Sequence, residues 1–361
     1  MNLAIPILQP AAITPAWLSS VLRAGGVDAE VRDFKSRRIG TGQIGDSIRF
    51  DLVYARAPEG APASLVGKFP SSSEVSRATG IALGNYLREV NFYKHLAASA
   101  LISTPKCYFT DIDEKGDFVL MMEDLSPAEQ GDQLKGCTLG QAKLVLHEAA
   151  KLHASHWGDE ALEDVAWISQ TRAAGGVGSA DPKALSNLWQ AFLQRYGERL
   201  SAGAKRVGEA LIAHYGTYDA YYKGPKSLVH IDYRPDNMMF GTAAGGKPLT
   251  VLDWQSLALG CGVTDVTYFL AGALPRDNFR AIEKDFVREH YYERLCELGV
   301  KNYDFETLWR DYRSRAFALF LVAFYASMIV VQTERGDDMF MAMIHSATDQ
   351  AMDLDSLSFL K

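Results

Sequence analysis

The chain has 361 residues, 48% hydrophobic and 22% charged, which is enough for a well-filled core and for two domains. A formal charge of −7 without any block of Lys and Arg argues against a nucleic-acid partner. Cys107, Cys137, Cys261 and Cys296 stand far apart with no CxxC pair, which disfavours a zinc site or disulfide framework and fits a reducing cytoplasm.

No positively charged leader precedes the apolar start MNLAIPILQPAA, so a secretory signal is not expected. TPAWLSSVLRA predicts a short helix with Thr14 as cap and Pro15 at the first helical position, closed by Gly25 and Gly26. From about 34 to 70 the pattern turns to strands, SIRFDLVYA by alternation and SLVGKFP as a short apolar run. IALGNYLREVNFYKHLA then predicts one helix, and KCYFTDI and DFVLMMED predict two more strands split by the turn DEKG.

Beyond Leu125 the texture is helical. TLGQAKLVLHEAAKLHASHW opens with Thr138 and Gln141 at capping-box spacing. TRAAGGVGSADP is a loop or lid candidate. A strand pair follows, and residues 264–361 are helical again. AFALFLVAFYASMIVV, residues 316–331, is almost wholly apolar but shorter than the roughly 20 residues a bilayer requires, so it predicts a buried helix and no membrane span. The expected fold is α+β with two lobes, residues 1–125 carrying the sheet and 126–361 the helices.

LVHIDYRPDNMMF, residues 228–240, crowds His230, Asp232, Arg234, Asp236 and Asn237 between apolar flanks. MMFG, TAAGGKP and LTVLDWQ read as a hairpin whose arms bring Asn237 near Asp253. A carboxylate and an amide oxygen are hard ligands of the kind Mg²⁺ accepts, with Asp232 on the same loop. GTGQIG, with Gly40, Gly42 and Gly45, matches a dinucleotide pattern, but the residues after it alternate like a strand. A hairpin tip against phosphates is the better reading, with Ser47 as an added donor. Lys68, amid strand apolars, has a mate in Glu89, which shares a helix face with Phe92, Tyr93 and Leu96.

Taken in order, GTGQIG, Lys68, Glu89, MMEDL, LHASHW, HIDYRPDN and LDWQ resemble the protein-kinase-like superfamily, on its small-molecule branch of aminoglycoside phosphotransferase-like and ecdysteroid-kinase-like proteins. That resemblance implies a bilobal fold and an ATP- and Mg²⁺-dependent kinase acting on a hydroxyl of a natural product, sterol-like alcohol or antibiotic. It assigns Asp232 as catalytic aspartate, and Asn237 and Asp253 as magnesium ligands. Lys68, aligned by Glu89, would grip the phosphates under the Gly40–Gly45 lid, and the backbone at Glu123 and Leu125 would bind adenine. Ile231 departs from the Arg or Gly usual after the loop histidine, and Trp254-Gln255 from Phe-Gly. Only 11 residues separate Asp253 from Asp265, which leaves no room for a phosphorylatable activation loop.

Plainer readings stand beside these. Asp232, Asn237 and Asp253 could be turn and cap residues, and Asp236 and Asp265 structural groups. His153 reads as a packed core histidine, and Tyr233 and Arg234 are undecided between acceptor and nucleotide. Trp189, Tyr196, Tyr218, Tyr221, Tyr222, Phe320, Phe324 and Tyr325 suit an apolar or mixed acceptor. The rival functions are a catalytically silent nucleotide-binding scaffold and an oxidoreductase using GTGQIG for NAD.

Overall fold

The computed structural model describes residues 5–40, 44–168 and 181–361. They form two compact units, one of Met1–Ala98, Thr104–Pro127 and Leu252–Gln255, the other of Ser99–Ser103, Ala128–Val251 and Ser256–Lys361.

In the first unit, β1 (Glu30–Ile39), β2 (Gly45–Arg56), β3 (Ser64–Pro70), β4 (Cys107–Ile112) and β5 (Phe118–Glu123) form one antiparallel sheet in the order β1-β2-β3-β5-β4. Alternation sends Phe50, Leu65, Phe69, Val119 and Met121 into one core with Trp17, Leu18, Val21 and Leu22 of the helix Pro15–Ala24. That helix starts where the sequence predicts, with Thr14 accepting from the Trp17 amide and Pro15 at its first position.

The single helix expected after β3 is instead broken. Glu74–Ala82 stops before Gly84, whose φ of +68° suits a residue without Cβ; Asn85–Asn91 follows, and Phe92–Leu96 forms one wider π turn. Glu89, Phe92, Tyr93 and Leu96 are nevertheless all buried on one side, as their spacing predicts.

In the second unit, Thr138 and Gln141 close the expected capping box on the helix Leu139–Ser155. Strands β6 (Glu129–Gln130), β8 (Met238–Thr242) and β9 (Gly245–Val251) make a small sheet in the order β6-β8-β9, and β7 (Ser227–Val229) pairs antiparallel with β10 (Ala258–Gly260). The apolar stretch becomes the helix Ala318–Ile329, packed against Pro182–Tyr196 and Glu334–Asp353. Among the described residues, no helix is long and apolar enough to cross a membrane. The lid candidate falls outside the described residues except for Asp181 and Pro182, which cap and open the helix Pro182–Tyr196.

One expectation about the acceptor is corrected here. Trp189, Tyr196, Tyr218, Phe320 and Phe324 belong to the buried core of this unit, with Trp189 against Phe192 and edge-on to Phe324. Full burial of each ring contributes about 1.5–3 kcal/mol to folding, and that packing accounts for their presence. Tyr221, Tyr222 and Tyr325 are only partly buried.

Candidate active site

Register places Lys68 of β3 opposite Ser47 of β2 on one side and Leu120 of β5 on the other. Its Nζ lies 2.6 Å from Glu89 Oε2 and 2.8 Å from Asp253 Oδ1. Burial disfavours the charged ammonium, but the charges of Asp253 and Glu89 outweigh it and hold the pKa above that of an ordinary lysine. Two carboxylates against one ammonium leave an excess negative charge. The Asp253 side chain is 26% exposed and that of Glu89 2%.

The segment carrying Asp253 is fixed to the helix Asn85–Asn91 and its continuation. The Trp254 ring stacks on Phe92 at 3.9 Å and 11°, and the Gln255 carbonyl accepts from Arg88 Nη1 at 2.6 Å and Asn85 Nδ2 at 3.3 Å. Asp253 itself has φ +66°, a conformation that short polar residues tolerate. Trp254 and Gln255, the departure from Phe-Gly, are thus the anchors of this turn.

The glycine segment joins β1 to β2, with Ile39 opposite Ser47, and leads into a strand. The helix that a dinucleotide fingerprint requires after its glycines is not there. Gly40 has φ +70°. Gly45 opens β2, where a Cβ would come within 3.1 Å of the Phe69 carbonyl, a tight contact that favours glycine. Gly42 is outside the described residues. Glu123 ends β5 with its amide on the Lys106 carbonyl, and partly exposed Leu125 follows. Between them, Asp124 accepts from Ser64 Oγ, Arg49 Nε and the Ser126 amide, which fixes the path of the chain after the strand.

In the second unit the loop after β7 hangs from one buried carboxylate. Asp265 is fully buried, and its two oxygens accept from the His230 amide at 2.7 Å and the Ile231 amide at 2.9 Å. His153 Nε2 lies 3.2 Å from the same carboxylate, with Tyr291 Oη 2.7 Å from Nδ1. Ile231 has φ +71°, which costs a β-branched residue about 1–2 kcal/mol. The paired amide bonds to Asp265 hold that conformation. We expect Asp265→Asn, with one acceptor oxygen in place of two, to lower stability by about 1.5–3 kcal/mol and to reduce turnover without weakening nucleotide binding. An unchanged urea midpoint for this variant would contradict the clamp.

Asp232 occupies the centre of this loop. Its Oδ1 accepts from Tyr268 Oη at 2.7 Å and its Oδ2 from Asn237 Nδ2 at 2.9 Å, while Arg234 Nε lies 3.0 Å from Oδ1. Burial would raise the Asp232 carboxyl, but the Arg234 charge and the bonds from Tyr268 and Asn237 prevail and hold it below the usual aspartate value. Asn237 Nδ2 also bonds the Asp232 carbonyl at 2.8 Å. With acceptor atoms on that side only its NH₂ end can face them, so its amide oxygen points elsewhere and is available to a cation.

Asp236 accepts from the Gln133 amide and pairs with Arg234 at 3.4 Å. Tyr233 is buried, with its hydroxyl on the Val145 carbonyl. Met238 pairs with Val251, so Asn237 immediately precedes one arm of the hairpin and Asp253 follows the other by two residues.

Lys68, Glu89 and Asp253 therefore meet in the first unit, and Asp232 and Asn237 in the second. Tyr268 was not among the expected site residues. The signal existed, since Tyr268 stands three residues after Asp265 on the helix Val263–Ala273 and so shares its face. Arg234 proves to be the ion-pair partner of Asp232, two residues away on the same loop.

The phosphotransferase enzyme family (APH) matches residues 45–313, most of the chain. No curated protein matches the sequence. Among solved structures, a Plasmodium vivax ethanolamine kinase is similar at 10% identity over 94% of this chain and 84% of that one, with a TM-score of 0.51. A microcompartment-associated aminopropanol kinase is similar at 12% identity over 91% and 95%, with a TM-score of 0.50. A Ralstonia eutropha JMP134 protein provisionally described as an aminoglycoside phosphotransferase is similar at 18% identity over 94% and 97%, with a TM-score of 0.50. At these identities the structural likeness speaks for the fold, α+β and kinase-like, while the family match spans Lys68, Glu89, Asp232, Asn237 and Asp253. The chain belongs to the phosphotransferase enzyme family.

Proposed function

We propose that the enzyme transfers the γ-phosphoryl group of ATP, with Mg²⁺, to a hydroxyl of a small molecule. The observation that carries this reading is Asp232, a loop carboxylate kept ionised by Arg234, Tyr268 and Asn237 and still one-fifth exposed. Such a group can accept a hydrogen bond from an alcohol, orient its oxygen and receive the proton as the new P–O bond forms and the bond to the ADP oxygen breaks. Lys68, kept protonated by Glu89, would hold the α- and β-phosphates, and the backbone at Glu123 and Leu125 would receive adenine. Gly40, Gly42, Gly45 and Ser47 would cover the phosphates.

Magnesium fits the donor set. The Asp253 carboxylate is 26% exposed, and the Asn237 oxygen is directed away from Asp232; both are hard oxygen donors of the kind Mg²⁺ takes. When bound, the ion would neutralise charge on the phosphate oxygens. Positioning and charge, not covalent chemistry, are what the chain's own residues contribute.

The expected result is that Mg·ATP raises the melting temperature more than ATP with chelator or NAD, and that a panel of hydroxylated metabolites and antibiotics yields ADP release with at least one member. Asp253→Ala should abolish the metal-dependent part of the thermal shift. Tight Mg·ATP binding without ADP release from any alcohol would favour the silent scaffold.

A further inference from the structure

We infer that Gln255 is a positioning residue that orients Asp253 for the metal and is itself held in place by Arg88; the inference rests on the magnesium reading above. The Gln255 side chain donates from Nε2 to Asp253 Oδ2 at 3.2 Å, while Lys68 Nζ lies 2.8 Å from Oδ1. Only the NH₂ end of an amide can donate to a carboxylate oxygen, so this contact fixes which way the Gln255 amide points. Held at both oxygens, the carboxylate cannot turn about its Cβ–Cγ bond without losing one of the two contacts. The main chain of Gln255 is held as well. Its carbonyl accepts from Arg88 Nη1 at 2.6 Å and from Asn85 Nδ2 at 3.3 Å. Arg88 is 6% exposed, and its other nitrogen, Nη2, donates to the Leu83 carbonyl. This buried guanidinium therefore ties the break before the helix Asn85–Asn91 to the turn that carries Asp253, and all of these residues lie in the first unit.

A carboxylate that is already oriented binds a metal ion more tightly, because no side-chain freedom remains to be lost on binding. Groups that hydrogen-bond a ligating carboxylate accordingly govern metal affinity, by about 10–100-fold when they are removed. The two contacts on Asp253 differ in kind. Lys68 brings a positive charge, which opposes a cation, whereas the neutral Gln255 amide brings direction alone. Removing that amide leaves the net charge of the site unchanged, so any loss of metal affinity reports orientation. Asp253 takes φ +66°, and the two residues after it are pinned, Trp254 by its stack on Phe92 and Gln255 by Arg88 and Asn85. A glycine at position 255 could supply no side-chain donor, so this contact belongs to the Trp-Gln form of the turn.

The test measures the Kd of the non-hydrolysable nucleotide AMP-PNP by calorimetry on the full chain, once with EDTA and once with saturating Mg²⁺. The ratio of the two values is the metal enhancement, and it needs no acceptor and no turnover. Gln255→Leu is expected to lower that enhancement by about tenfold while leaving the Kd with EDTA within about threefold of wild type. Gln255→Ala, which keeps Trp254 and the main-chain bonds of the turn, is expected to do the same and serves if the leucine variant does not fold. An enhancement within about threefold of wild type in a folded variant overturns the inference and leaves the magnesium reading standing. Equal weakening with and without the metal also overturns it, since Gln255 would then support the nucleotide site as a whole. A wild type that binds AMP-PNP no better with Mg²⁺ than with EDTA overturns the magnesium reading, and this inference with it.

Discussion

Asp232→Asn is expected to lower kcat by about 10²–10⁴ while leaving the Mg·ATP-induced rise in melting temperature intact. Asparagine keeps the shape of the side chain and one acceptor for Tyr268 Oη, so the loop has no steric reason to move. It cannot take up the alcohol proton, and its NH₂ group must confront either Arg234 or Asn237, both of which donate towards Asp232 in the wild type. Asp232→Ala is the harsher variant, because it leaves the Arg234 guanidinium with Asp236 alone at 3.4 Å. Comparing the two tells loss of the base from disturbance of the loop: equal losses with equal melting temperatures point to the base. Turnover in Asp232→Asn within a factor of about three of wild type would refute the assigned role.

The sequence was most readable where function forces polar residues into fixed order on regular elements. Strand alternation, the Thr14 and Thr138 caps and the Lys68–Glu89 pair all follow from local chemistry, because each partner lies within one element or on one soon after it in the chain. It was least readable where one residue serves two unrelated demands. The aromatics of the second unit have the composition of an apolar pocket, yet Trp189, Phe320 and Phe324 are core, and composition cannot tell a ring that packs from one that waits for a ligand. Gly84, inside the segment expected as one helix, is a left-handed break. Ile231 is legible in the sequence only as a departure from the usual Arg or Gly. The structure shows a strained backbone there, held by the His230 and Ile231 amides donating to Asp265, 34 positions after Ile231. Arg234 was undecidable for a related reason, since sequence gives no direction to a long side chain on a loop.

Lys68→Met is the substitution expected to cost most in stability, and the reason is the carboxylate it abandons. Methionine fills nearly the same volume, so a cavity contributes little. Glu89, at 1% exposure, would be left beside Asp253 with no counter-charge, and removing one member of a buried pair typically costs about 3–5 kcal/mol. Glu89 has one escape, which is to bind a proton. Its pKa is pushed up by burial in any case, and without Lys68 nothing strong opposes that. Protonation costs about 1.4 kcal/mol for each pH unit above the ordinary glutamate value of 4.5, which limits the loss to about 3–4 kcal/mol at pH 7. The sign follows. A carboxyl whose folded pKa is raised stabilises fully below its unfolded pKa and forfeits that contribution as pH rises through the folded value. The deficit of Lys68→Met relative to wild type should therefore be small near pH 5 and grow towards pH 8. Adding Glu89→Gln should recover most of it at pH 7.5 and flatten the pH dependence, since the neutral amide needs neither a proton nor a cation. Urea unfolding of the four proteins across that range measures both effects as a double-mutant cycle. A pH-independent deficit, or strictly additive losses in the double variant, would mean that Lys68 and Glu89 are not energetically coupled, and the phosphate grip built on them would lose its foundation.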